Sequence, residues 1–226
     1  MVVRVRSVRS LRVFVALLGV CALGLVCVGA PVFAATQNDQ TQFSVVAGSL
    51  SFSTVPALPS LGAVTLNGQA QTTTTQMTNF GVADATGTGS GWDVTVAGLT
   101  GAGNSAVFKQ YCPTGGGCGA DPLGYVTGGA TLPADSLTLT STGASFAAQD
   151  GSTGTAPTLQ CASACGVDAA SAVKVASAPV NAGMGTWLTS GFASNSLSLA
   201  TPTTLKVLAN GEVFRVNVVW TLNTGP

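Results

Sequence analysis

Hydrophobic and polar positions alternate in short runs along much of this chain, and the alternation is cleanest at its C-terminal end. In residues 211–226 (GEVFRVNVVWTLNTGP), Phe214, Val216, Val218, Trp220 and Leu222 share one parity, while Arg215, Asn217 and Thr221 share the other. A strand there turns its bulk to a single side. Just upstream, residues 205–209 lead into Asn210-Gly211, the dipeptide that best accepts the two positive φ values of a type I′ turn. The pattern predicts a hairpin with Val207 opposite Phe214, Leu205 opposite Val216, and Lys206 beside Arg215 on the outer face. The same alternation recurs in Trp92-Asp93-Val94-Thr95-Val96, in residues 137–140 and in residues 196–200.

Weaker signals fill the intervals. Residues 43–52 (FSVVAGSLSF) read as strand material broken at Gly48, and residues 61–66 as a strand entering a turn at Asn67-Gly68. The Thr-rich run 69–80 suits a strand with one polar face, because β-branched side chains pack well on a pleated surface. Residues 98–182 are cut by Gly and Pro into shorter pieces, with Phe146 and residues 172–176 as further strand candidates. This middle reads as an elaborated, loop-rich insertion on a sheet scaffold. Many short alternating strands without helical periodicity predict an all-β chain, an antiparallel β-sandwich or barrel-like single domain.

The first 34 residues stand apart from that pattern. Arg4, Arg6, Arg9 and Arg12 precede an apolar run over residues 13–30, and Val32 and Ala34 occupy the positions a signal peptidase reads before a cut. Although the run is long enough to span a bilayer, the expectation is a signal peptide, 1–34, followed by a β domain, 35–226, with no membrane span after cleavage. The β domain keeps Lys109, Lys174, Lys206 and Arg215 against all eight acids of the chain. That excess of acid argues against nucleic acid, whose binding is driven by cations displacing counterions.

Candidate chemistry is sparse. The chain has no His, and Glu212 is its sole Glu. No phosphate loop or dinucleotide fingerprint is present. An enzyme is not expected, nor is a cofactor or metal. Cys112, Cys118, Cys161 and Cys165 remain after the signal; in an exported protein their two close spacings favour the disulfides Cys112–Cys118 and Cys161–Cys165 over the two crossed pairings.

The terminal Val218-Val219-Trp220-Thr221-Leu222 and the loop-strand 82–96 (VADATGTGSGWDVTV), with Gly183-Met184-Gly185-Thr186-Trp187 and the signal segment, resemble the WxL-domain surface proteins of Gram-positive bacteria. The upstream motif ends in Val94, where a strict W-x-L has Leu. The resemblance implies a secreted protein held noncovalently at the cell wall. Peptidoglycan or another wall polymer is the implied ligand, and other surface proteins are further partners. The competing expectation is a surface-layer or fibre subunit that assembles with itself or with sister proteins.

Residue parity refines those expectations. Trp92 shares a face with Val94 and Val96, and Trp220 with Leu222 and the valines before it, so both tryptophans read as core. Trp187, set among Gly183, Gly185 and Gly191, reads as the one exposed on a loop and suited to stack on a sugar. Lys206 and Arg215, opposed across the expected hairpin, form a candidate contact for an anionic polymer.

Overall fold

The computed structural model describes residues 40–113, 123–208 and 211–226. The expected signal segment lies outside those residues, as do Cys118 and the turn residue Asn210. Residues 45–226 form one compact unit; residues 40–44, the described part of the preceding unit, carry no strand and are exposed. No helix among the described residues is long and apolar enough to cross a membrane.

The strands are β1 (Leu50–Thr54), β2 (Gln71–Thr75), β3 (Gly81–Asp84), β4 (Trp92–Gly98), β5 (Lys109–Tyr111), β6 (Leu137–Leu139) and β7 (Ser145–Gln149). They continue with β8 (Thr158–Leu159), β9 (Cys165–Gly166), β10 (Val173–Ala178), β11 (Gly185–Ser190), β12 (Leu197–Thr201), β13 (Val213–Arg215) and β14 (Val218–Thr224). They form three four-stranded sheets, ordered β1-β3-β11-β7, β14-β4-β10-β8 and β2-β12-β6-β9, and a two-stranded ribbon of β13 and β5. Every strand pairing is antiparallel, and no sheet closes into a barrel. The all-β antiparallel expectation therefore holds. The loop-rich stretch 98–182 supplies at least one strand to every sheet, β5 to β10; its strand candidates 137–140, Phe146 and 172–176 fall in β6, β7 and β10, and β5, β8 and β9 are additional.

Local pattern explains several of these elements. The alternation of 92–96 becomes β4, in which Trp92, Val94, Val96 and Gly98 are buried and the residues between them are half-buried. The Thr-rich run becomes β2, whose partner is β12. Phe80 sits at the centre of the core, fully buried, with Phe146 at 5.8 Å edge-on, Trp220 at 6.1 Å and Phe192 at 6.5 Å. Thr189, also fully buried, accepts from the Phe80 N–H at 2.8 Å and donates to its carbonyl at 3.0 Å, so this polar side chain enters the core with its hydrogen bonds made.

The predicted C-terminal hairpin does not form. Residues 205–208 carry no strand, and Val207, expected opposite Phe214, is 83 % exposed. Instead the C-terminal stretch runs antiparallel to a more distant partner: β14 pairs with β4 and β13 with β5. Residues 99–108 loop out between those two contacts, and Asn217 spans the gap, accepting from Leu99 N at 2.7 Å and donating to Ser105 O at 2.9 Å. The ladders of β14 with β4, seven residue pairs, and of β13 with β5, three, offer more backbone pairing than the short local turn. The parity survives the change of partner, because Phe214, Val216, Val218, Trp220 and Leu222 all pack against the core. Residues 61–66 likewise carry no strand; residues 61–64, 205–208 and 212–216 border an open cleft of about 860 Å³ in which Leu58, Leu132, Leu197, Leu205 and Phe214 lie beside Lys206, Glu212 and Arg215.

Candidate functional site

The register of β4 and β14 brings the two Trp-x-aliphatic segments side by side. Leu222 stands opposite Val94, Trp220 opposite Val96 and Thr224 opposite Trp92, so the two indoles flank the Leu222–Val94 pair on the core face. Trp92 is fully buried, packs edge-on against Phe146 at 5.9 Å and donates its Nε1–H to the Gly183 carbonyl at 3.1 Å. Trp220 is half-buried, since β14 is the edge strand of its sheet.

Trp187 departs from its expected place. It lies on β11, is only 4 % exposed, and donates its indole N–H to the Met184 carbonyl at 3.0 Å. No exposed stacking platform exists there. The glycines that suggested a loop serve close packing instead. Adjacent carbonyls, of Gly183 and Met184, thus accept from two different tryptophans, and Gly183 (φ 69°) fits only because it lacks a side chain. A Cβ at that position would stand 2.4 Å from the Ala178 Cβ and 2.6 Å from Trp92 Nε1.

With its tryptophans turned inward, the same sheet presents a polar outer face. Thr221, Thr95 and Lys174 form one cross-strand row, and Asn223, Asp93, Ser177 and Thr158 form the next. Lys174 and Ser177 are three residues apart yet both point outward, because the register of β10 shifts between Lys174 and Ala176 and inserts one extra residue. Asp93 is paired twice, with Lys174 Nζ at 3.2 Å and with the Asn223 amide at 2.8 Å. Gln160 extends the network by donating to Thr158 Oγ1 at 2.9 Å and Ser177 Oγ at 3.1 Å. The residue between Trp and Val in the first segment and the residue after Leu in the second are therefore joined on the outside. Sequence reading missed this face because it singled out the motif aromatics, although parity alone assigns Asp93, Thr95, Thr221 and Asn223 to it.

The remaining expected site residues are dispersed. Lys206 is not opposite Arg215, whose cross-strand neighbour is Lys109. Cys161 and Cys165 form the expected disulfide. Cys112 is fully buried, and its expected partner Cys118 lies outside the described residues.

A buried carboxylate that sequence reading did not single out belongs to Asp168. It has no exposed surface; its Oδ1 accepts from Leu137 N at 2.9 Å, and its Oδ2 has no hydrogen-bond partner. Burial raises its pKa to about 6, against the opposing pull of the Leu137, Asp168 and Ser136 backbone N–H groups, and nearby Asp135 adds to the rise. Because the folded value lies above the unfolded one, the fold favours the protonated acid. The stabilisation is complete below the unfolded value of about 4 and is lost as pH rises through about 6. Asp168→Asn is therefore expected to raise the melting temperature at pH 8, by a stability gain on the order of 2 kcal/mol. The gain disappears at pH 4, and thermal melts at the two pH values check it.

Taken together, the geometry defines an all-β domain whose tryptophan segments hold its interior and whose motif strands offer a polar surface. The family model for the WxL domain, described as surface cell wall-binding, matches residues 34–226, and the chain belongs to that family. It is thus a cell-wall-binding protein of the cell surface. No curated protein and no solved structure matches the chain.

Proposed function

We propose that this protein is exported from a Gram-positive cell and attaches noncovalently to the wall as a binding module, not an enzyme, with peptidoglycan as its ligand. The contact surface in this reading is the outer face of β14, β4 and β10. The observation that carries it is the opposition of the two faces: both Trp-x-aliphatic segments are consumed by the core, while the alternate side chains of the same strands form a continuous hydrogen-bonding surface. Thr, Asn, Asp, Lys and Ser side chains supply the donors and acceptors that sugar hydroxyls and amide groups require. The paired Asp93, Lys174 and Asn223 hold those groups in fixed positions before binding, which lowers the ordering cost of the complex.

Co-sedimentation with purified, protein-free sacculi tests this reading. Saturable binding of the monomer is the expected result. A second reading is favoured by one observation: β14, seven residues long, pairs on one side only among the described residues, and such an edge invites addition of another strand. Concentration-dependent polymers that do not sediment with sacculi support that assembly role and contradict wall binding.

A further inference from the structure

Lys109 and Arg215 face each other across the β5–β13 ladder. Directly opposed residues of an antiparallel pair project on the same face, and Tyr111, two residues along β5, shares it. The Arg215 guanidinium lies over the Tyr111 ring, 4.5 Å from its centroid. Tyr111 in turn packs edge-on against buried Tyr125, with ring centroids 5.0 Å apart. The Tyr125 hydroxyl donates to Asn217 Oδ1 and lies 3.4 Å from the Arg215 carbonyl, which ties the platform to the stretch joining β13 and β14. Arg215 is exposed, and Lys109 and Tyr111 are half-exposed.

Neither cation has an acidic partner among the described residues. The one ion pair there is Lys174–Asp93, and Glu212 is taken by the Gln110 amide at 2.7 Å on the opposite parity of the ribbon. Like charges directly opposed weaken an antiparallel pair, and neutral residues at these outward positions would cost the core nothing. A guanidinium held flat on an aromatic ring beside an ammonium presents a planar fork and a point charge to the same volume, which suits a delocalised anion.

We propose that Lys109, Arg215 and Tyr111 form an oxyanion site that takes a negatively charged group of the wall, a phosphodiester or a peptide carboxylate, at a contact separate from the polar sheet face. The assignment rests on the reading of the protein as wall-binding and adds the charge class of its ligand. The test compares the wild type with Lys109→Gln/Arg215→Gln by co-sedimentation on two preparations: untreated walls, and walls stripped of phosphodiester-linked polymers with hydrofluoric acid. The double variant is expected to bind untreated walls roughly tenfold more weakly and to melt no lower than the wild type. Lys109→Arg, which keeps the charge, is expected to bind like the wild type, separating loss of charge from damage to the ribbon. A phosphodiester source brings the wild type down to the variant's level on stripped walls; a carboxylate source leaves the wild-type advantage intact there. Equal binding of wild type and double variant on both preparations overturns the proposal. Should the wild type bind neither preparation, the wall reading fails and titration with inorganic phosphate decides the site. Amide shifts at residues 109–111 and 213–215 that vanish in the double variant support it, and their absence in the wild type overturns it.

Discussion

Trp92→Ala is expected to destabilise the domain by about 3 to 5 kcal/mol, the range for truncating a large buried aromatic. For a domain of this size the loss corresponds to a drop of roughly 6 to 20 °C in melting temperature. The ring is fully buried, packs edge-on against Phe146 and satisfies the Gly183 carbonyl, so truncation leaves a cavity and an unpaired acceptor together. Total stabilities of domains are only about 5 to 15 kcal/mol, and the variant sits close to unfolding. Trp220→Ala costs less, because Trp220 is half-buried on an edge strand and surrenders mainly its contact with Phe80. Chemical denaturation of both variants checks the order. A tryptophan that served as a sugar platform behaves oppositely: its removal abolishes wall binding and leaves the melt unchanged.

Gly183→Ala is the second large effect, expected at roughly 2 to 5 kcal/mol from a left-handed backbone and an overpacked contact combined. The new methyl meets the Ala178 Cβ and the Trp92 indole edge at distances no packed structure sustains. Relief requires the indole to move, and the indole is pinned by its hydrogen bond to the same residue's carbonyl. Trp92→Phe removes the Nε1 edge and with it part of the clash. Gly183→Ala is therefore expected to cost less in the Trp92→Phe background than in the wild type, a non-additivity that denaturation of the four proteins in the cycle measures.

The sequence is legible where burial is set by parity within one strand. Five residues from Trp92 to Val96 announce which side of β4 enters the core, and the even positions from Phe214 to Leu222 announce the same for β13 and β14. Pairing partners are not written locally. Lys109-Gln110-Tyr111 shows no hydrophobic alternation, yet it is the strand that claims β13 and leaves residues 205–208 outside any ladder. Glycine misled the reading of Trp187 because a Gly-rich stretch signals either a loop or close packing; the Trp92 ring that lies against Gly183 comes from 91 positions away. The Lys109–Arg215 juxtaposition was illegible for the same reason, since it exists only through that long-range ladder.

The outer polar face of β14, β4 and β10 arises from the same parity that buries the tryptophans. Thr221 and Asn223 are exposed on β14, so changes there leave the interior untouched.

The central claim, that the tryptophans are scaffold and the wall is met by the alternate side chains, is tested most directly by an amide spectrum recorded during titration with soluble peptidoglycan fragments. Each of the three tryptophans carries one indole N–H that such a spectrum can follow. Shifts are expected at the amides of Asp93, Thr95, Lys174, Ser177, Thr221 and Asn223, with the indole signals of Trp92 and Trp187 unmoved. Indole signals that shift or broaden while those six amides stay in place contradict it.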